Sequence, residues 1–181
     1  MRLGISKTRI ASPPARLRPL LFLTLGVLTD GAVEAADLPF KSPEPRFAVR
    51  MEANVMVPMR DSVKLATDLY FPVGAGEKLP VILIRTPYDK HGQEISARMF
   101  AGQSYIAAVQ DVRGKFASEG VFTLSENDTN DGADTVIWLA SQPWSTGRVG
   151  TYGCSYLGEA QIEMSKVRVR QHTAMIAQAA G

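Results

Sequence analysis

One cysteine and two histidines are the scarcest reactive side chains in this chain of 181 residues. A lone thiol, Cys154, closes no internal disulfide, so a stapled scaffold is excluded. One cysteine and two distant histidines, His91 and His172, also give no zinc-binding pattern. Long apolar runs are missing too. The block Leu20–Leu28 (LLFLTLGVL) is nine residues, far short of the ~20 that span a bilayer. A charge excess of one sign is confined to the front: residues 1–35 carry five Lys/Arg and two acids, while the rest has 15 basic and 16 acidic residues. That balance leaves no basic patch for nucleic acid. The glycines at Gly150 and Gly153 lack the Gly-x-Gly-x-x-Gly spacing of a dinucleotide site. The acidic run from Asp128 to Gly132 has its glycine one place early and no closing glutamate for a calcium loop. No cofactor or metal is therefore expected.

The chain does have the composition of an ordinary globular protein, with 45% hydrophobic residues. Its first 35 residues read as an export signal. Arg2, Lys7, Arg9, Arg16 and Arg18 lead the apolar block, and Val33 and Ala35 are small residues at −3 and −1 of a cleavage site. A secreted or periplasmic protein beginning near Ala36, with no membrane attachment after cleavage, is the expectation. Residues 36–46, Pro-rich and polar, read as a linker, and residues 47–181 as the folded domain.

Within that domain, residues 48–57 and 63–70 alternate as strands around the polar Arg60-Asp61-Ser62 turn, predicting a hairpin. Val81–Ile84 and Tyr105–Val109 are continuous apolar runs, as in strands covered on both faces. Glu94–Gln103 and Gly158–Arg170 fit helices, Arg148–Tyr152 fits a strand, and Thr173–Ala180 is strand-like. Ser125 with Glu126, Asn127 and Asp128 predicts a capping box for a helix ending at Gln142-Pro143, with Val136, Ile137, Leu139 and Ala140 facing the core. A hairpin followed by alternating strands and helices predicts an α/β sheet with helices on both faces.

The segment Val149-Gly-Thr-Tyr-Gly-Cys-Ser-Tyr-Leu-Gly158 carries the chemistry. A β-branched run enters a serine preceded by glycine, and a helix-compatible segment leaves it. That is the pattern of a nucleophile elbow, which holds a serine at the C-terminal end of a strand beside a helix N-terminus. Leu157 stands where the second glycine of the plain five-residue form would be, and Gly158 comes one place later. Ser155 is the candidate nucleophile, and the backbone N–H of Tyr156 is one candidate oxyanion donor.

Three segments together resemble a family: Arg85-Thr-Pro-Tyr-Asp-Lys90, then Asp111-Val-Arg-Gly114 with Ser118-Glu-Gly120, then Trp144–Gly158. In this order they are similar to the Xaa-Pro dipeptidyl-peptidase family, which includes cocaine-esterase-like and α-amino-acid ester hydrolases. The resemblance runs from about Met51 to Gly181 and implies an α/β-hydrolase fold and a serine acyl-enzyme mechanism. It implies that the Tyr88 hydroxyl is the second oxyanion donor; an amphipathic cap on the sheet is the other reading of Tyr88. The implied substrate is a small ester, amide or short peptide. The same resemblance places the triad Asp and His, which should follow Ser155, beyond Gly181.

The remaining candidates read as supporting residues. Asp111 and Arg113 would brace the loop above the sheet, His91 would border the pocket, and Cys154 would pack on the core side of the elbow. His172, after a helix, would lie too far from Ser155 to act as its base. After Ser155 the only carboxylates are Glu159 and Glu163. The chain is thus expected to end just after the nucleophile helix and the following strand, as a poor catalyst by itself. The alternative is a non-catalytic relic or binding domain of the same fold. Oligomeric state is not legible.

Overall fold

Alternating strand and helix signals become one six-stranded sheet in the computed structural model, which describes residues 43–180. The expected export signal and the first part of the expected linker lie outside the described residues. Strands β1 (Val49–Pro58) and β2 (Lys64–Pro72) form the predicted antiparallel hairpin. Its turn closes with Met59 N–H on the Val63 carbonyl at 2.8 Å and Ser62 N–H on the Met59 carbonyl at 2.9 Å. Then follow β3 (Leu79–Thr86), a 3-10 turn (Lys90–Gln93), α1 (Glu94–Ala101) and β4 (Ile106–Asp111). The last part comprises α2 (Asp128–Ser141), β5 (Ser145–Cys154), α3 (Tyr156–Ser165) and β6 (His172–Gln178).

The spatial order is β1-β2-β4-β3-β5-β6. β4, β3, β5 and β6 run parallel, and β2 joins β4 antiparallel. Side chains on β3 alternate between two faces, as strand geometry demands. Val81 and Leu83 pack with Val136 and Leu139 of α2 and Met164 of α3. Ile84 packs on the other face with Ala97 and Ala101 of α1. Helices on both faces bury all six residues of β4, and each fully buried aliphatic side chain contributes roughly 1.5–3 kcal/mol. The continuous apolar runs of the sequence are these doubly covered strands.

Two local expectations are corrected. Ser125 does not cap α2: it has φ 60°, and the N-cap residue is Asn127, which makes no side-chain cap bond. The left-handed backbone at Ser125 instead turns its carbonyl toward Asp128 N–H, at 3.3 Å. Ile137 is 47% exposed, because the buried stripe of α2 runs through Ala133, Val136 and Leu139 and a residue one step beyond Val136 falls off it. The described end of the linker is tied down: Arg46 N–H donates to the Gly102 carbonyl at 2.8 Å, at the end of α1. Among the described residues no helix is long and apolar enough to cross a membrane.

Candidate active site

Ser155 stands between β5 and α3 with φ 57° and ψ −129°. This conformation lies outside even the left-handed helical region, and such backbone strain costs about 1–3 kcal/mol unless its surroundings enforce it. Several contacts enforce it. Ser155 N–H donates to the Gln178 carbonyl of β6 at 2.9 Å, and its carbonyl accepts from Gly158 N–H at 2.7 Å. A Cβ on Gly153 would lie 2.3 Å from the Leu157 Cβ, so only glycine lets the chain double back here. At Gly158 a Cβ would meet the Gln178 carbonyl at 3.0 Å and the Ala180 Cβ at 2.9 Å, which confirms the close helix–strand approach. Ser155 itself is exposed. Tyr156 opens α3, so its N–H is one of the first-turn amides without a partner inside the helix.

The Tyr156 side chain points elsewhere. It is buried, and its hydroxyl donates to Asp128 Oδ2 at 2.8 Å while accepting from Ser125 N–H at 3.4 Å. Burial, reinforced by the Asp128 charge, pushes the phenol up to about 12. Tyr88, on the loop after β3, is 61% exposed, and its ring stands edge-on to that of Tyr156 at 6.3 Å between centroids. Phe122 lies on the other side of Tyr156, at 6.4 Å. Ser155, Tyr156 and Tyr88, named separately from the sequence, are thus brought to one end of the sheet.

The loop that carries Tyr88 is anchored from below. Asp89 adopts φ 79° and accepts from His91 N–H at 3.0 Å. Lys90 is buried, with its ammonium 3.4 Å from Asp111 and 3.8 Å from Asp68, and its N–H donates to Asp111 Oδ1 at 2.8 Å. Asp111 therefore braces the loop, as expected. Arg113 braces a different loop, the one after β4, tying it to Asp131 of α2 at 2.6 Å and to Asp61 of the hairpin turn at 2.8 Å; hydrogen bonding to Asp131 raises its already high pKa further.

Neither histidine is hydrogen-bonded to Ser155. His91 is exposed and bound to Asp89 at 2.7 Å. His172 bonds Thr151 at 3.0 Å and is opposite Val149, six residues before Ser155, or about 20 Å along a strand. Burial pushes its imidazole below the ordinary value, partly opposed by a backbone bond at Ala174. Cys154 corrects an expectation: it is exposed rather than packed in the core. β5 outruns β3, whose paired residues end at Leu83 opposite Thr151, and Cys154 is in register with Gln178 of β6 alone.

Sequence reasoning missed Arg85 and Asp128. Arg85 is buried and donates to Asp128 Oδ1 at 2.9 Å, to the Asp128 carbonyl at 3.2 Å and to Gln110 at 3.0 Å. A signal was present: an arginine ending the apolar run Val81–Ile84 needs a buried carboxylate, and acids three apart open α2. The acids that resemble a calcium loop are consumed by these arginines; among the described residues no cluster suits a metal ion.

Comparison with known proteins agrees with this geometry. Residues 61–181 match the X-Pro dipeptidyl-peptidase (S15 family). The cocaine esterase of Rhodococcus sp. (strain MB1 Bresler) is 46% identical over 115 residues, covering 60% of this chain and 20% of that protein. An α-amino acid ester hydrolase superposes with TM-score 0.65 at 29% identity, covering 77% of this chain and 26% of the other. A CocE/NonD family hydrolase from Staphylococcus aureus gives TM-score 0.64 at 26% identity, covering 70% and 27%. The chain spans about a fifth to a quarter of the length of these relatives. Its sheet is the α/β-hydrolase arrangement. With relatives that are esterases and hydrolases and a match over most of its described residues, the chain belongs to the X-Pro dipeptidyl-peptidase (S15) family.

Proposed function

We propose that this protein is a serine hydrolase that cleaves small esters, amides or short peptides through an acyl-enzyme. Ser155 Oγ attacks the carbonyl carbon and gives its proton to a general base. The Tyr156 amide and the Tyr88 hydroxyl hold the resulting oxyanion, and each such donor contributes about 3–4 kcal/mol in acyl transfer. The leaving alcohol or amine takes the proton as the tetrahedral intermediate collapses to the ester of Ser155. Water then attacks that ester and regenerates the serine. The base and its orienting acid are assigned to sequence outside the described residues, since both described histidines are engaged elsewhere and the match covers only a fifth to a quarter of the relatives' length.

The observation that carries this reading is the strained Ser155 at the strand-to-helix turn, φ 57° and ψ −129°, beside a free first-turn amide. An elbow with oxyanion donors keeps part of its acceleration without the base. The test is labelling of the purified, folded chain by a fluorescent serine-directed phosphonate. Labelling abolished by Ser155→Ala supports the proposal. A folded chain that stays unlabelled overturns catalysis by this chain in favour of a non-catalytic domain of the same fold. Export from the cytoplasm is part of the same proposal, resting on the basic lead and apolar block of residues 1–35. N-terminal sequencing of the protein from its source checks it, with a start near Ala36 expected.

A further inference from the structure

A buried carboxylate links the chain segments around the serine turn. Asp128, at the start of α2, is 4% exposed and lies between two parts of the site. One oxygen accepts from the Tyr156 hydroxyl at 2.8 Å, and the other from Arg85 Nη1 at 2.9 Å. Arg85 is the penultimate residue of β3, three residues before Tyr88, and Tyr156 directly follows Ser155. The carboxylate therefore ties together the chain segments that present Ser155, the Tyr156 amide and Tyr88.

Asp128 is itself fixed. Its carbonyl accepts from Arg85 Nη1 at 3.2 Å, and the Arg85 Nε is held by Gln110 at 3.0 Å. Gln110 in turn bonds Thr67 and Thr135 at 3.1 Å each. Buried Asp131 and partly buried Arg113 lie alongside, giving this network two positive and two negative charges. Such a network has little freedom to reorganise, because each group that lost its partner would be left charged and dry. The phenol stays a donor across the ordinary pH range, since its burial beside Asp128 holds it protonated.

We propose that Asp128 is a positioning residue of the serine site: through the Tyr156 hydroxyl it anchors the first turn of α3 and so holds the Tyr156 amide and the strained Ser155 in register with the Tyr88 loop. It touches neither substrate nor reacting atoms. This inference rests on the serine-hydrolase reading only for its effect on reactivity; its effect on local geometry is independent of that reading.

Tyr156→Phe is the cleanest variant, because it removes one hydroxyl and leaves the Asp128–Arg85 pair intact. Asp128→Asn is the second, keeping an acceptor for the phenol without the charge. Two readouts are taken on the purified chain: amide hydrogen exchange of the peptide covering residues 153–158, and the phosphonylation rate of Ser155. For Tyr156→Phe the expected result is exchange at 153–158 at least tenfold faster, unchanged exchange in β3 and β4, and labelling at least tenfold slower. Asp128→Asn keeps an acceptor, so it should speed exchange at 153–158 and slow labelling less than Tyr156→Phe does, while exchange in β3 rises because Arg85 loses its carboxylate. Exchange at 153–158 unchanged in both variants overturns the proposal, as does labelling at the parental rate. For Tyr156→Phe, acceleration spread equally over β3 and β4 also overturns it, by showing only general loosening. If the parent chain is not labelled, catalysis by this chain alone fails, and exchange at 153–158 still decides whether Asp128 positions the turn.

Discussion

The elbow has two supports of opposite character. On one side a buried ionic network, Arg85–Asp128–Tyr156, grips the residue after the serine. On the other side β6 supplies the Gln178 carbonyl to Ser155 N–H, yet β6 is one of the two edge strands among the described residues, with Met175 45% and Ile176 50% exposed. The first support is specific because breaking it strands charges in a dry interior. The second is backbone pairing on a wet strand, where water competes for every bond. A strained residue can be held from both directions with very different margins.

Removing a charge from the inner support should have the largest effect on stability. Asp128→Ala leaves Arg85 buried without its carboxylate and should cost about 3–5 kcal/mol in chemical denaturation. A loss under about 1 kcal/mol would mean that Asp131, 3.9 Å from Arg85 Nη2, takes over the charge. On the outer support, Gly158→Val drives a side chain toward Gln178 and Ala180 and should cost about 1–3 kcal/mol. Protease sensitivity of β6 should rise with it. If Gly158→Val proves the costlier of the two, the contrast between the supports is reversed.

pH sharpens the same contrast. The His172 imidazole is held below its ordinary value of 6.5, chiefly by burial. Its unfolded form therefore binds a proton first, and the stability it contributes is complete above pH 6.5. That contribution is lost as pH falls from 6.5 through the lower folded value. Tm measured from pH 7.5 to 5 should drop in this window, and His172→Gln should flatten the drop. The smallest effect on stability belongs to Tyr88→Phe. Its ring stays exposed, so unfolding should shift by no more than about 0.5 kcal/mol, whereas phosphonylation of Ser155 should slow about a hundredfold. Equal labelling of Tyr88→Phe and the parent would leave Tyr88 as a cap on the sheet.

The sequence made the serine turn easier to anticipate than either of its supports. Gly153 is a local signal, because the turn doubles back onto Leu157, whereas Gly158 meets Gln178 and Ala180 some twenty residues on. The strands Val81–Ile84 and Tyr105–Val109 were legible for a related reason: burial on both faces writes an unbroken apolar run. The inner support joins Arg85 to a carboxylate 43 residues away, and no periodicity specifies such a pairing. In the sequence the acids of α2 invited comparison with a calcium loop; the partners of Asp128 and Asp131 are Arg85 of β3 and Arg113 of the loop after β4. Ser125 misled because a capping sequence is only a capacity, and here the backbone before Asp128 turns the other way.

The hydrogen bond from Ser155 to Gln178 also sets an order of events during synthesis. Ser155 leaves the ribosome 23 residues before its acceptor does, an interval of roughly 1–5 s at about 5–20 residues per second. Throughout that interval the hairpin, β3, β4 and α2 have everything needed to pair, while the serine turn lacks the carbonyl that fixes its amide. The nucleophile is thus completed after the scaffold that carries it, and the nascent chain holds an unfinished serine until β6 has docked.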